Sequence, residues 1–363
     1  MRVLVLGEYD LQIYSRGRIL INGLRQNGAY VDVLLDRTRG KFLKFFRRLL
    51  RKDFDVVLVH AGWLVTLICR IAKLWNHRPI LFDAFISNYD TLVFDRQSAR
   101  PGSFKARMAF FNDWLSNRCA DLTFMDTEQH ADYLAQLIKL DRARIAVIPV
   151  GADDEVFKPM PAAKHKGFIV GFTGSFLPLQ GVDTILRAAK LLQDHNDIKI
   201  NMIGSGQSQF EPALRLADEL KLTNVHFNKA WVPLDELAEW IAKSDVALGI
   251  FGTTPKAGRV VPNKLYESFA MAKPVITADT PAIVGMGIKD GEQCLLVPAG
   301  DPSALAAAIL RLKASPTLRK RLSKGGHDWF VSHASTKIIG KACLSLLESV
   351  TDHSVFVDGN SRT

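Results

Sequence analysis

Short apolar runs rich in Val, Ile, Leu and Phe alternate with longer helical patterns, and the alternation runs twice along the chain. The first series is RVLVLG, YVDVLLD, DVVLVHA, PILFDA, DLTFMD and IAVIPVG; the second is FIVGFTG, IKINMIG, VHFNKAW, DVALGIF, PVITAD and CLLVPAG. Helical patterns such as SRGRILINGLRQNG, WLVTLICRIAKLW, VDTILRAAKLLQ and LDELAEWIAKS lie between them. Strand–helix alternation predicts right-handed βαβ units and a parallel sheet. Continuous rather than alternating apolarity in the strands predicts a sheet covered on both faces. Between the two series stands KPMPAAKHKG, rich in proline, small residues and charge, which reads as a linker. The expected fold is therefore α/β, with two Rossmann-like doubly wound domains facing across a cleft. We place them at 1–160 and 161–334, with a helix over 335–350 expected to pack back on the first.

A length of 363 residues accommodates two domains, and 48% hydrophobic with 23% charged residues is a globular composition. No run of 18 apolar residues occurs, so no membrane span is expected, and MRVLVLGEYD reads as a first strand and not a signal peptide. Cys69, Cys119, Cys294 and Cys343 stand far apart without CxxC spacing, and read as reduced thiols of a cytoplasmic protein. The net charge of +10 suggests an anionic partner.

In open parallel sheets, ligands bind beyond the carboxyl ends of the strands, so the loops there carry the candidate sites. In the first domain Ser15 can cap a helix, with Arg16 and Arg18 beside it; a plain turn with solvated arginines is the alternative. His60 ends one strand and Asp83 the next. Ser87, Asn88, Tyr89, Asp90 and Asp95 follow, and could serve a polyhydroxylated ligand or simply cap the loop. In the second domain GFTGSFLPLQGVD offers Gly174 and Ser175 to phosphate oxygens, while MIGSGQSQ contributes Gly204 but only part of a dinucleotide fingerprint. The segment GRVVPNKLYESFAMAKPVIT carries most. Pro262 fits the first turn of a short helix whose N-terminus presents Asn263, Lys264 and Leu265, with Lys256 and Arg259 in the loop before it. Dipole, backbone N–H groups and cations together suit a diphosphate. Glu267, three residues after Lys264, can accept the hydroxyls of a ribose, or merely pair with Lys264.

These stretches, with IPVGADDEVFKP before the linker, resemble the family 4 glycosyltransferases of glycosyltransferase-B fold along nearly the whole chain. The resemblance implies a nucleotide-diphosphate sugar donor, UDP-, GDP- or other, bound mainly by the C-terminal domain. It implies a saccharide or lipid-linked acceptor on the N-terminal domain, retention of anomeric configuration, and neither cofactor nor essential metal. Glu267 matches the second acid of the family's Glu-x7-Glu motif, Gly174 and Ser175 match the loop at the donor phosphates, and Trp231 and Val232 stand where the base meets backbone. Two departures stand out. Arg259 replaces the first acid of the motif, and Phe176 and Gln180 stand near the family's loop Arg and Lys. Lys264, with Arg259 or Lys256, is expected to supply the missing charge. Asp83 or His60 is expected to position or deprotonate the acceptor hydroxyl.

The stretch RTRGKFLKFFRRLLRK (37–52) holds basic residues and no acid, with Phe42, Phe45, Phe46 and Leu49 on one helical stripe. It reads either as a surface for anionic membrane at the inner face of the plasma membrane, or as a packed helix with solvated charges. Nucleic acid is not expected as a partner, since no recognised module accompanies the charge. A nicotinamide dehydrogenase is disfavoured, since neither domain has a full glycine fingerprint. A non-catalytic glycosyltransferase-like subunit is the competing reading.

Overall fold

The computed structural model describes residues 1–11, 14–60, 62–161, 165–204, 207–230 and 232–352. The chain forms two compact units. The first comprises Met1–Val93, Gln97–Val150 and the chain from Thr336; the second comprises Phe94–Arg96 and Gly151–Ser335.

The first unit is built on six parallel strands: β1 (Arg2–Gly7), β2 (Tyr30–Leu35), β3 (Val56–His60), β4 (Ile80–Asp83), β5 (Leu122–Met125) and β6 (Ile145–Val147). Their order is β2-β1-β3-β4-β5-β6. Successive strand residues point to opposite faces, so an unbroken apolar run feeds two cores at once. Val3, Val5 and Leu58 meet Ile19, Leu20 and Leu24 of the helix Ser15–Gln26, whereas Leu4, Leu6, Val57 and Val59 meet Phe45, Val65 and Cys69. The helix Thr336–Thr351 crosses Ser15–Gln26 at two glycines. A Cβ added to Gly340 would lie 2.0 Å from the carbonyl carbon of Gly23, so the crossing requires glycine at this point.

The second unit repeats the plan with β7 (Phe168–Thr173), β8 (Ile198–Ile203), β9 (Val225–Asn228), β10 (Val246–Leu248), β11 (Val275–Ala278) and β12 (Leu295–Val297). Their order is β12-β11-β10-β7-β8-β9. The order reverses between β7 and β10, which is where a doubly wound sheet opens a crevice beyond its strand ends. Asp301 caps the helix Pro302–Ala314 by accepting from the N–H groups of Ser303 and Ala304, as its sequence predicts.

Three local expectations are corrected. Ser15 is the first helical residue and Tyr14 the cap position, without a side-chain bond. Pro262 occupies the cap position, and the helix begins at Asn263. The stretch after β4 is not an open loop: Asn88–Asp90 and Thr91–Asp95 form consecutive helical turns. There Ser87 accepts from the Asp90 N–H and donates to Asp113 at 2.8 Å. Ser87, Asp90 and Asp95 are all buried, and Ser87 acts as a cap.

Candidate active site

At the switch point of the second unit, the loop after β7 and the helix Asn263–Ala270 meet. The loop begins at Gly174, whose N–H donates to the Ile203 carbonyl at 2.9 Å. Phe176, in the left-handed backbone region at φ 61°, turns its ring inward against Phe172 and Phe210. The Gln180 side chain folds back so that its Oε1 accepts from the Phe176 N–H at 2.9 Å. Neither side chain thus extends a cation to the loop, and both are spent on holding its shape.

The cation comes from the helix. Lys264 is 7% exposed, and its Nζ has no hydrogen-bond partner among the described residues. It rests 3.9 Å from the centroid of the Phe172 ring, a cation–π contact on the strand that leads into the glycine loop. A Cβ at Gly174 would fall 2.8 Å from Lys264 Nζ and 2.4 Å from Gln180 Oε1. Only a glycine leaves room for the ammonium against the loop backbone. Burial pulls the Lys264 pKa down to about 7, although the Glu267 carboxylate opposes the fall. A buried ammonium with one neighbouring acid and no direct partner is an expensive arrangement. A bound anion would relieve it.

The remaining residues of this group fall around the same point. Gly204, at the end of β8, packs so closely that a Cβ there would meet the Gly174 carbonyl oxygen at 2.4 Å. Ser175 is half-buried beside Gly174. Asn263 opens the helix, Leu265 is fully buried, and Glu267 is buried one turn in. Arg259 is half-buried on the preceding loop, its N–H donating to the Lys256 carbonyl at 2.9 Å. Lys256 is buried with its Nζ 4.0 Å from Asp95 Oδ2, which turns its charge to an acid within the same unit. Val232 is half-buried just before the helix Leu234–Ala242, and Trp231 lies outside the described residues. Among the described residues, no three His, Cys, Asp or Glu side chains converge as a metal-binding group.

In the first unit, His60 and Asp83 sit together at neighbouring strand ends. His60 Nδ1 lies 2.9 Å from Asp83 Oδ2. Arg16 Nε donates to both carboxylate oxygens at 3.0 and 2.9 Å, and its NH1 donates to the Ile148 and Pro149 carbonyls. Burial pushes the Asp83 carboxyl up, but Arg16 and His60 outweigh it and hold the pKa below the usual value. Its side chain is 0% exposed and that of His60 1%, so the two form one buried pair at the strand ends. By accepting from Nδ1, Asp83 leaves Nε2 as the acceptor atom, and that atom is buried without a hydrogen-bond partner among the described residues. Arg16, expected at the mouth of an anion site, is instead the counter-ion of Asp83. A polar pocket of about 210 Å³ opens nearby, bounded by Asp83, Asn88, Asn112 and Ser116. Phe172 as the ring beneath Lys264, Gln180 as the clamp of the glycine loop, and Arg16 as orienter of Asp83 escape sequence reasoning; the inward register of Phe172 on its strand is the only signal of the three.

On the flank of this unit, the helix Lys41–Leu49 buries Phe45 and Leu49 in the core. Lys41, Lys44 and Arg48 find acids at 2.5 Å: Glu8, Asp36, and both Asp32 and Asp53. No helix among the described residues is long and apolar enough to cross a membrane. All four cysteines are buried and unbridged.

Residues 167–315 match the family described as Glycosyl transferases group 1, and residues 19–151 match the Glycosyl transferase 4-like domain. A D-inositol 3-phosphate glycosyltransferase of Thermomonospora curvata is 28% identical over 60% of this chain and 53% of its own length. An MMP alpha-(1->4)-mannosyltransferase of Mycolicibacterium hassiacum is 25% identical over 56% of this chain and 48% of its own. The chain thus spans about half the length of these curated relatives. Among solved structures, sucrose-phosphate synthase of Thermosynechococcus elongatus superposes with a TM-score of 0.76 at 16% identity, covering 96% of this chain and 98% of that one. HepE of Anabaena, solved with UDP-glucose, gives 0.73 at 16% identity, covering 96% and 100%. Two six-stranded parallel sheets, these structural likenesses and the two family matches agree: the chain belongs to the group 1, family 4 glycosyltransferases of glycosyltransferase-B fold.

Proposed function

We propose that the protein transfers a sugar from a nucleotide-diphosphate sugar to a hydroxyl of a saccharide or lipid-linked acceptor, with retention at the anomeric carbon and without a cofactor or metal. One observation carries the reading: the Lys264 ammonium is buried, without a hydrogen-bond partner among the described residues, against the backbone of Gly174 at the switch point of the second sheet. Nucleotide-sugar binding by HepE, a protein of the same fold, supports it.

As the nucleotide diphosphate departs, negative charge grows on its β-phosphate and positive character on the sugar ring. Lys264, the N–H of Ser175, and the first turn of Asn263–Ala270 are preorganised for the phosphate charge. Arg259 would add a second cation from the loop. Glu267 accepts the ribose hydroxyls, and backbone near Val232 meets the base. In the first unit, His60 Nε2 receives or orients the acceptor hydroxyl, while Asp83 and Arg16 fix the ring. Polysaccharide or glycolipid synthesis at the inner membrane face would suit such an acceptor.

A panel of nucleotide sugars tests the reading by thermal shift and by release of nucleoside diphosphate. One donor should raise Tm and turn over, and Glu267→Gln should raise its KM. Absence of both binding and turnover across the panel would leave a non-catalytic subunit.

A further inference from the structure

The helix Phe104–Cys119 is inside out. Its buried face carries Ala106, Ala109, Asp113, Ser116 and Asn117. Its outward face carries Phe104 at 79% exposure, Met108 at 43%, Phe111 at 39% and Phe110 at 36%. A helix of a water-soluble domain normally shows the opposite pattern, with its apolar stripe turned to the core. The inversion has a local cause: Asp113 faces inward to accept from the Ser87 hydroxyl and from the N–H groups of Asn88 and Tyr89. That need fixes the polar face toward the protein and leaves the aromatic face outside.

The exposed apolar surface is larger than one helix. The helix Trp63–Asn76 packs alongside, exposing Leu74 at 72% and Trp75 at 54%. An open groove of about 540 Å³ runs along the inverted helix, lined by Tyr89, Arg107, Phe110, Phe111 and Leu137. A cluster of exposed large apolar side chains around such a groove marks an interaction site. Its charge selects the partner. Lys105, Arg107 and Arg118 are exposed on the helix, and its one acid, Asp113, is buried. Exposed aromatics interleaved with cations, and no acid among them, match the interface of an anionic bilayer.

We infer that the helix Phe104–Cys119 docks on anionic membrane, its aromatic face entering the headgroup region and the groove receiving an acyl chain. The basic helix Lys41–Leu49 is the weaker candidate, because its apolar stripe is packed and three of its cations are paired within the protein. The inference is independent of the transfer reaction and is read without it.

Co-sedimentation of the full chain with phosphatidylcholine vesicles, with and without phosphatidylglycerol, tests it. The wild type should sediment with the anionic vesicles. Phe104→Ser combined with Met108→Ser should lower the bound fraction about tenfold or more, and Arg107→Glu should lower it as well. All three side chains are exposed, so Tm should stay at the wild-type value. Arg47→Glu combined with Arg51→Glu should leave binding within about twofold. The inference fails if the wild type shows no anionic preference, or if F104S/M108S binds as the wild type does. It also fails if sedimentation equilibrium shows a dimer that F104S/M108S dissolves, since the face then belongs to a second copy of the chain.

Discussion

The Nζ of Lys264 lies 3.9 Å from the centre of the Phe172 ring, under a glycine loop in which no other side chain supplies a cation. The ring offers the ammonium a partial substitute for water, which offsets part of the cost of burial. A diphosphate bound above Gly174 would complete the set of neighbours. Lys264→Met keeps the length of the side chain and removes the charge. It should cost about 3 kcal/mol of transition-state stabilisation, roughly a hundredfold or more in kcat, with the fold intact by circular dichroism. Unchanged kcat and donor KM would rule out the role.

The same burial makes donor binding sensitive to pH. With its pKa near 7, Lys264 is largely neutral in the free protein above that value. An anionic donor favours the charged form, so binding above pH 7 takes up a proton. Donor affinity should therefore fall as pH rises from about 7, by at most about tenfold per unit, and Lys264→Met should flatten the profile. For the unliganded protein the sign reverses. The unfolded chain holds the proton up to about pH 10.4, so this residue's contribution to stability grows as pH climbs from 7 toward that value. Titration calorimetry across this range measures the first effect, and Tm without ligand the second.

Gly174→Ala should separate binding from folding. The added Cβ meets only side-chain tips, Gln180 Oε1 at 2.4 Å and Lys264 Nζ at 2.8 Å. Both would be displaced, with loss of the Gln180–Phe176 bond, so the donor KM should rise about tenfold or more while Tm falls by less than in a variant that moves the loop backbone. Gly204→Ala is the contrast. Its Cβ meets the Phe176 ring at 2.0 Å and the Gly174 carbonyl at 2.4 Å, so the loop itself must move and stability should drop with activity.

In the first unit, Asp83→Asn leaves Arg16 as a buried charge without its counter-ion. A loss of about 3–5 kcal/mol in unfolding free energy is expected. Because the folded carboxyl titrates below its usual range, wild-type stabilisation is complete above about pH 4 and disappears as pH falls through the folded value. The Tm curves of wild type and variant should converge in acid. His60→Gln should lower kcat for the acceptor reaction with less change in Tm.

The fold could be read because each strand is an apolar run and each helix carries an apolar stripe, and both series restart at the linker. The helix bearing Lys264 and Glu267 could be read from its proline and the polar residues at its mouth. What escaped depends on pairing across distance. Arg16 and Asp83 are 67 residues apart, and an arginine beside a helix start gives no sign that it will be buried. Ser87 and Asp90 resemble loop polar residues until Asp113 is seen to gather their neighbours from a later helix. The outward face of Phe104–Cys119 could not be foreseen, because apolar residues at helical spacing predict a core whichever way the helix is turned. From sequence Gln180 reads as a missing lysine, whereas its amide holds the loop against which Lys264 stands.

The central claim is that Lys264 binds the donor diphosphate at Gly174. Calorimetric titration of nucleoside diphosphates at pH 8, repeated in buffers of different ionisation enthalpy, tests it most directly. The account predicts that one nucleoside diphosphate binds the wild type with uptake of close to one proton, and that Lys264→Met binds it at least about tenfold more weakly with no proton uptake. Equal affinity and equal proton uptake in the two proteins would contradict it.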